Sequence, residues 1–428
     1  MADLLALSAR AIDDGVVDGA GPAARVTLEL SEIASGLAMV ESFSNVVAID
    51  SGDGLVLFDT SMPQFAGAVL GALRGWSTAP VRTIVYTHGH VDHVGGARAI
   101  VDEAVERGDP RPEVVAHEAV PQRFRRYDLT NGYNAHINSR QFARAGVFDE
   151  HPARPRFPRT WVEPSLSYRD SVALRVGELH LELRHDRGET DDHSWAWIPS
   201  YRAVCVGDFV IWAFPNAGNP QKVQRYPLEW ARALRRMQAL EPELLLPAHG
   251  LPIGGQARVH RVLDETASAL ESLVSQTLEL MNEGATLDTI IHTVTLPDDL
   301  LSRPYLRPVY DEPQFVVRNI WRLYGGWWDG DPSRLKPAPD ADVARELVGL
   351  AGGVAAMVGR ALELAEGGDA RLASHLVELA VRAAPDDGEA HAARAEIYRR
   401  RRSEELSLMA KSIFDAATRE SEGKVQGR

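Results

Sequence analysis

The chain has 428 residues, more than one ordinary domain holds, and its 45% hydrophobic content is that of a globular protein. Its net charge of −14, from 46 basic and 60 acidic residues, repels polyphosphates, so nucleic acid is not an expected partner. The single cysteine, Cys205, excludes an intrachain disulfide and a metal site built from several thiolates.

The N-terminal stretch has no basic segment ahead of an apolar one, and acidic residues come early, which argues against a secretory signal. No uninterrupted apolar run reaches the ~20 residues that a membrane span needs. We therefore expect a cytoplasmic protein that has no membrane partner.

Strand-like and helix-like segments alternate through the first half of the chain. Val46–Ile49 and Leu55–Phe58 are β-rich runs joined by a glycine-containing turn, and Thr83–Tyr86 is an apolar run of buried-strand length. Similar runs follow at Val114–Ala116, Leu179–Leu183, Trp195–Ile198, Ala203–Val206 and Leu244–Leu246. A helix predicted over 227–240 opens with Pro227 in its first turn. The pattern predicts a mixed sheet sandwich with helices outside.

From about Val259 the pattern changes to long helices. The spacing predicts a helix over 259–282, then a proline-rich link over 296–313. Residues 342–418 are typical of three or four antiparallel helices, broken at Gly367–Asp369 and Pro385–Gly388, and resemble one tetratricopeptide-type unit. Because one such unit does not bury its apolar face alone, we expect it to pack on the first domain or on a second subunit.

The strongest motif is His88-Gly89-His90-Val91-Asp92-His93, directly after the Thr83–Tyr86 run. Three imidazoles and a carboxylate lie within six positions, and these are the ligands that zinc takes where thiolates are absent. The spacing lets His88 and His90 face one metal while Asp92 and His93 face a second. The alternative, a histidine-rich surface loop without function, is disfavoured by the strand–loop–helix context.

A His-x-His-x-Asp-His motif after a buried strand resembles the metallo-β-lactamase superfamily, which has an αβ/βα sandwich and takes its other ligands from later strand ends. Glu189, Asp208 and His249 match those later positions. The resemblance implies two zinc ions per chain, with iron or manganese as alternatives. It assigns His88, His90 and Glu189 to one ion, Asp92, His93 and His249 to the other, and Asp208 as a bridge between them.

Glu189 stands where the superfamily usually has histidine, and this resembles the type III alkylsulfatases. The segments Tyr305–Tyr310 and Tyr324–Pro332 look like the start of that family's helical dimerisation domain. The resemblance implies a metallo-β-lactamase-fold catalytic domain over 1–295, a helical dimerisation domain over 296–420, a polar tail over 421–428, and a homodimer.

The chain departs from that family at several positions. The bridging ligand is Asp208 rather than glutamate, and Val316 stands where the family has a histidine that would protonate the leaving alcohol. No match to the sterol-carrier-like C-terminal domain of long alkylsulfatases is seen. If a side chain replaces the missing acid, the candidates are His136, His193 and Tyr133.

The resemblance implies a metal-dependent hydrolase that cleaves alkyl sulfate esters to an alcohol and sulfate with a metal-bound hydroxide, and it makes Asp92 a catalytic candidate as well as a ligand. Arg225 aligns with a family arginine and is a candidate for binding the sulfate oxygens, although an arginine here is as often a salt-bridge residue. The other substrate-binding candidates are Asn134, Arg140 and Arg318.

Three other functions stay open on the sequence alone. The first is another ester substrate on the same scaffold: a lactone, a thioester or a phosphodiester. The second is a redox protein of the flavodiiron type, although those proteins carry a glutamate where this chain has His90. The third is a non-catalytic binding module.

Overall fold

A computed structural model describes residues 2–17, 21–142, 157–159 and 161–427 of the chain. The described residues form two compact units. The first unit comprises Met1–Asn131, Arg156–Ala285 and Thr289–Gly326, and the second comprises Gly132–Pro155, Thr286–Asp288 and Trp327–Arg428.

A seven-stranded sheet forms one half of the first unit. Its strands are β1 Leu30–Ala34, β2 Leu37–Val40, β3 Val46–Asp50, β4 Leu55–Phe58, β5 Val81–Val85, β6 Glu113–His117 and β7 Leu166–Tyr168. They lie side by side in chain order. The pairs from β1 to β4 are antiparallel and those from β4 to β7 are parallel.

A six-stranded sheet forms the other half. Its strands are β8 Ser171–Val176, β9 Leu179–His185, β10 Ser194–Ile198, β11 Ala203–Gly207, β12 Leu244–Pro247 and β13 Ile253–Gly254. They also follow chain order across the sheet, and β11 pairs with β12 in parallel while the other pairs are antiparallel. The carboxyl ends of β9, β11 and β12 therefore lie at one edge of this sheet.

Sixteen α-helices occur in the described residues. In chain order they are α1 Leu4–Asp14, α2 Ala66–Trp76, α3 Val91–Val94, α4 Ala97–Arg107, α5 Val120–Leu129, α6 Asn131–Phe142, α7 Pro227–Gln238, α8 Gln256–Asn282, α9 Leu287–Thr293, α10 Asp298–Leu301, α11 Pro313–Gly325, α12 Asp340–Leu350, α13 Val354–Glu366, α14 Ala370–Ala383, α15 Gly388–Glu404 and α16 Leu408–Gln426.

The seven-stranded sheet is buried on both faces, as its alternating side chains show. Val47 and Ile49 of β3 pack in the core between the two sheets, whereas Val46 and Ala48 pack in a second core beneath α2, α4 and α5. Successive strand residues point to opposite faces, so a run of apolar residues fills two cores at once. The predicted sandwich with outer helices is confirmed.

The packed units divide later than the predicted boundary at residue 295. Val316, Val317 and Ile320 of α11 belong to the core of the first unit, and α11 packs on α8. The apolar stripe of α11 needs a partner and finds it on α8, a relation that local sequence does not show. Residues 132–142, predicted to lie in the catalytic domain, cluster with the second unit instead.

The second unit is helical and has its own core, which includes Ala361, Val377 and Ile397. Its helices break where predicted, because Asp369 and Asp387 cap the next helices by accepting hydrogen bonds from backbone N–H groups. The described part of the predicted polar tail over 421–428 is mostly helical. There α16 continues to Gln426, with Ser421 buried against α15.

Among the described residues no single helix combines the length and the apolar composition of a membrane span. The pair α12 and α13 passes that test only when taken together, and an 86° bend separates the two helices.

Candidate dinuclear metal site

Seven potential metal ligands come together at the strand ends of the first unit. His88 and His90 lie in the loop after β5, and Asp92 and His93 lie in the short helix α3 that follows. The other three come from the six-stranded sheet: Glu189 follows β9, Asp208 follows β11 and His249 follows β12. Because the carboxyl ends of β9, β11 and β12 share one edge, residues separated by 60 positions of sequence meet there.

The ligand atoms form two groups, and within each group they lie within 4.8 Å of one another. The first ligand group is His88, His90, Glu189 and Asp208, and the second ligand group is Asp92, His93 and His249. In the first group His88 Nε2 lies 2.8 Å from His90 Nδ1, and His90 Nδ1 lies 3.6 Å from Glu189 Oε1. In the second group Asp92 Oδ2 lies 3.4 Å from Nε2 of both histidines.

The carboxylate of Asp208 lies between the two groups. Its Oδ2 is 3.9 Å from His88 Nε2, and its Oδ1 is 3.4 Å from Nε2 of both His93 and His249. One oxygen therefore faces each group. The Asp208 carboxylate could therefore contribute one oxygen to a cation in each group, which is the role predicted for it.

The chemistry of these donor atoms fits a pair of cations. His93 Nε2, Glu189 Oε2 and Asp208 Oδ1 are buried without a hydrogen-bond partner among the described residues, which is costly unless another group satisfies them. Burial, and next the charge of His93, hold the pKa of His88 well below its ordinary value, so its imidazole is neutral and offers a lone pair. Bound cations would satisfy all of these atoms.

Repulsion between the carboxylates of Glu189, Asp208 and Asp92 also favours cations at this site. Burial raises the pKa of Glu189 well above its ordinary range, and the negative charges of Asp208 and Asp92 add to the increase, although Arg225 opposes it. Three carboxylates held this close in a buried site need positive charge nearby.

Asp59 is a further member of the site that the sequence analysis missed. Its Oδ2 lies 2.7 Å from His93 Nδ1, so it orients the imidazole whose Nε2 faces Asp92 and Asp208. Its two oxygens also accept hydrogen bonds from the N–H and the hydroxyl of Thr87, both at 2.8 Å. The available signal was position, because Asp59 directly follows the buried strand β4.

Two family profiles match the sequence of the chain. The metallo-beta-lactamase superfamily profile matches residues 39–249, and the alkyl sulfatase dimerisation profile matches residues 286–424. The chain therefore combines a metallo-beta-lactamase domain with an alkyl sulfatase dimerisation domain. This combination confirms the predicted resemblance to the alkylsulfatase branch.

Several relatives of this protein are alkylsulfatases. A linear primary-alkylsulfatase from Pseudomonas sp. is 29% identical over 395 residues, which cover 89% of this chain and 74% of the relative. The (R)-specific secondary-alkylsulfatase from Pseudomonas sp. is 27% identical over 373 residues, which cover 82% of this chain but 56% of the relative. The chain thus spans between about half and three quarters of the length of these two relatives.

A solved structure shows the same fold. The stereoselective inverting sec-alkylsulfatase Pisa1 from Pseudomonas sp. superimposes with a TM-score of 0.81 at 25% sequence identity. The superposition covers 92% of this chain and 66% of Pisa1.

Arg225, predicted to bind substrate, is buried beside Glu189. Its Nη1 donates to the Glu189 carbonyl and its Nη2 lies 3.2 Å from Glu189 Oε1. Asn216 Nδ2 donates to the same carboxylate oxygen at 2.5 Å. Arg225 Nε has no hydrogen-bond partner among the described residues, so one donor of the guanidinium remains for another group.

Asn319 connects α11 to Arg225, and the substrate-binding role predicted for its neighbour Arg318 stays a prediction. Asn319 Nδ2 donates to the Arg225 carbonyl at 3.0 Å, whereas Arg318 lies on the exposed side of α11. Val316, where the family has histidine, is fully buried, and a Cβ placed on Gly218 would lie 2.3 Å from its backbone nitrogen. Val316 therefore packs beside the loop that contains Gly218, and its aliphatic side chain cannot donate a proton.

His193, a candidate acid, is placed beneath the ligands. It is fully buried, it stacks on Phe209 with ring centroids 4.1 Å apart, and its Nε2 accepts the backbone N–H of Asp208 at 3.2 Å. Burial is the main reason why its pKa falls to about 3, so His193 carries no exchangeable charge at neutral pH. In this position His193 supports the Asp208 loop, and the acid role predicted for it stays a prediction.

The remaining candidates lie on α6. Tyr133 is 61% exposed, Asn134 is buried with its carbonyl bound by Asn138 Nδ2, and Arg140 Nη2 lies 2.9 Å from His136 Nε2. Residues 132–142 cluster with the second unit. The roles predicted for these four residues stay predictions.

Two polar side chains near the ligands were not predicted. Burial raises the pKa of Tyr310 well above its ordinary value, and the nearby charges of Glu189 and Asp92 add to this. Burial, with Arg225 next, lowers the pKa of Lys222 to about 7, while Glu189 and Asp92 oppose the change. Tyr310 lies in a segment quoted for the family resemblance, but no sequence pattern marks Lys222.

Proposed function

We propose that this protein is a dinuclear zinc hydrolase that cleaves alkyl sulfate esters to an alcohol and sulfate. The observation that carries the proposal is the bridging position of Asp208 between two complete ligand groups. Relatives that cover most of this chain are named as alkylsulfatases, which supports the sulfate ester as substrate.

Zinc is the proposed metal because the donors are imidazole nitrogens and carboxylate oxygens, with no thiolate. Iron and manganese accept the same donors and are the alternatives. Two such ions, when bound, supply an activated water at neutral pH and compensate negative charge that develops on the substrate.

The side chains around the first ligand group favour an anionic substrate. Arg225 is buried with its Nε unpartnered among the described residues, and its charge adds to burial in lowering the pKa of Lys222. The cationic guanidinium of Arg225 beside the ions would attract a sulfate group, and its planar set of N–H donors suits hydrogen bonds to sulfate oxygens. We assign to Arg225 both the positioning of Glu189 and a hydrogen bond to the sulfate.

An apolar side chain lies beside the second ligand group. The ring of Phe43 contacts His249 edge-on, with ring centroids 5.7 Å apart, and it is half-buried. The neighbouring Ser44 and Asn45 hold this loop through hydrogen bonds to His93 Nδ1 and to the Gly250 carbonyl. Phe43 therefore offers apolar surface to the alkyl part of an ester.

The first test is sulfate release from a panel of short and medium primary and secondary alkyl sulfates, measured by ion chromatography. We expect zinc-loaded protein to release sulfate and His88→Ala to abolish the release. His260→Ala is the matched control, because His260 is exposed on α8 and lies outside both ligand groups.

The same panel of alkyl sulfates can also reject the proposal. If protein that holds two ions per chain releases no sulfate from any member of the panel, the sulfatase proposal is wrong. The buried Val316 in place of a proton-donating histidine then favours a leaving group that needs no strong acid. The same protein should next be given lactones, thioesters and phosphodiesters.

We also propose a homodimer formed through the second unit, supported by the match to the alkyl sulfatase dimerisation profile. Val343, Leu347 and Leu350 form one exposed apolar row on α12, and Leu350 is 85% exposed. Sedimentation of wild-type protein should show a dimer that Leu347→Glu/Leu350→Glu dissociates. Val105→Glu, at an equally exposed valine of α4, should leave the dimer intact.

A further inference from the structure

A buried ion pair lies beside the first ligand group and is not part of it. Arg123 of α5 and Asp192, in the loop after β9, are 3% and 0% exposed. Arg123 Nε donates to Asp192 Oδ2 at 2.7 Å, and Arg123 Nη2 donates to Asp191. An ion pair this deeply buried is expensive to desolvate and is not by itself evidence of stability. Its contacts indicate another use.

The same oxygen of Asp192 binds the metal-binding loop. Gly89 N–H donates to Asp192 Oδ2 at 3.1 Å, and Gly89 is the residue between His88 and His90. Asp192 itself lies three residues after Glu189 in its own loop. One carboxylate oxygen therefore joins the loop that carries two ligands to the loop that carries the third.

The fit around Gly89 is close. A Cβ at Gly89 would lie 2.9 Å from Arg123 Cδ and 3.0 Å from Asp192 Oδ2, so the ion pair packs directly on the loop backbone. A shift of Arg123 or Asp192 would therefore displace the Gly89 backbone, which sets the distance between the imidazoles of His88 and His90.

We propose that Arg123 and Asp192 form a clamp that holds His88, His90 and Glu189 in position to bind one of the two ions. Both are positioning residues, since neither is a member of a ligand group. The inference rests on the proposed two-ion site, but it makes no use of the substrate.

The second ligand group is held by other contacts. His93 Nδ1 is bound by Asp59, and the His93 carbonyl accepts hydrogen bonds from the N–H and the hydroxyl of Thr60 at 2.7 and 2.8 Å. No hydrogen bond or ion pair described for Arg123 or Asp192 reaches Asp92, His93 or His249. Loss of the clamp should therefore weaken the binding of one ion and leave the binding of the other unchanged.

Electrostatics support the clamp. Burial alone would raise the pKa of Asp192, but the Arg123 guanidinium and its hydrogen bond hold it well below its usual range. Asp192 therefore stays a charged acceptor, and charged acceptors make stronger hydrogen bonds to backbone N–H groups.

The test is the number of zinc ions bound and their stepwise affinities, measured by competition with a chromophoric chelator. Arg123→Met/Asp192→Asn removes both charges together, so neither is left alone in the interior. We expect this variant to bind one ion as tightly as the wild type and the other ~10- to 100-fold more weakly, the usual cost of losing an outer-shell partner. The single variant Arg123→Lys keeps the charge beside Asp192, so it should weaken the same ion less than the double variant does.

Two ligand backgrounds identify the ion. In His249→Ala protein, which keeps the first ligand group, the clamp variant should weaken the remaining ion. In His90→Ala protein it should leave the remaining ion unchanged. The control Arg74→Met/Glu103→Gln removes a half-buried ion pair between α2 and α4 and should change neither affinity.

The clamp is refuted if a folded variant keeps both affinities, or if both fall equally. Should Arg123→Met/Asp192→Asn fail to fold, Asp192→Asn alone keeps an acceptor for Gly89, and it must still weaken the same ion. The readout is metal binding, so absent sulfatase activity in a protein with two tight ions would reject the proposed substrate and leave the clamp standing.

Discussion

The two ligand groups offer the same kinds of donor atoms but are held in different ways. The first group depends on partners far away in sequence: Gly89 and Asp192 are 103 residues apart, and Arg123 and Asp192 are 69 apart. The second group has its main support closer by, because Asp59 and His93 are 34 residues apart. Asp59 directly follows β4, and His93 lies in α3, which comes after the adjacent parallel strand β5.

This difference shows two ways to fix an imidazole. His93 sits in the helix α3 and its ring is oriented by one carboxylate, whereas His88 and His90 sit in a loop whose backbone is held by an ion pair from elsewhere. A loop without helical hydrogen bonds needs such outside contacts to keep a fixed geometry. The two ions should therefore respond to different mutations.

The largest expected effect removes the residue that both groups share. Asp208→Ala should weaken both ions by more than ~100-fold, because loss of an outer-shell partner alone costs 10- to 100-fold. Sulfate release should fall to background. Metal analysis after dialysis checks this, and one ion retained at full affinity would mean that Asp208 does not bridge.

A selective loss at the second group comes next. Asp59→Asn keeps the shape of the side chain but weakens its hold on His93 Nδ1, and it should reduce the affinity of one ion by ~10-fold or more. Stepwise zinc titration of this variant in the His90→Ala and His249→Ala backgrounds assigns the loss. An equal effect on both ions would remove the distinction between the groups.

The pH dependence of metal binding should also separate the groups. Burial lowers the pKa of His88 and His90, so they are neutral near pH 7. Burial would also lower the pKa of His93, but surrounding carboxylates, Asp208 first, raise it well above its ordinary value, and they raise that of His249. An ion entering the second group must therefore displace protons, and its affinity should rise with pH more steeply.

The raised pKa of His93 also determines how the stability of the metal-free protein changes with pH. Protonated His93 stabilises the metal-free protein fully below the unfolded pKa of ~6.5, and this contribution is lost as the pH rises through the folded pKa.

Calorimetric zinc titrations in buffers of different ionisation enthalpy count the protons that each ion releases when it binds. Equal proton release by both ions would contradict the comparison.

The smallest expected effect comes from crowding the clamp. Gly89→Ala places a methyl group against Arg123 Cδ and Asp192 Oδ2, which must shift by a few tenths of an ångström. We expect up to ~10-fold weaker binding of the first ion, since outer-shell disturbance costs less than outer-shell loss. Gly71→Ala, on α2 with nothing within 4 Å of the added Cβ, is the control that should bind both ions normally.

Local sequence was sufficient for much of the fold. Buried runs such as Thr83–Tyr86 and helix breaks such as Gly367–Asp369 predicted elements correctly, because burial on both sheet faces and side-chain capping leave local marks. The boundary near residue 295 was not predictable in this way. The place of α11 depends on its packing against α8, and no composition change marks it.

The ligand set was readable from the sequence because ligands at strand ends carry a fixed order of residue types, and a family resemblance supplied the later members Glu189, Asp208 and His249. The partners of those ligands were not readable. Asp59, Arg123, Asp192 and Asn319 are ordinary charged or polar residues in the sequence, and their roles depend on which side chains the fold brings within 3 Å.

Sequence by itself determined the chemistry available to this protein: three imidazoles and a carboxylate in six positions, one cysteine, and a helical segment of a dimerisation family. Tertiary structure alone decided how that chemistry is arranged. It aligned the carboxyl ends of β9, β11 and β12 at one edge, turned one oxygen of Asp208 toward each ligand group, and buried His193 and Val316. The physical reason is that ligand type is a property of single residues, whereas distance, burial and pKa arise only from the packing of segments remote in sequence.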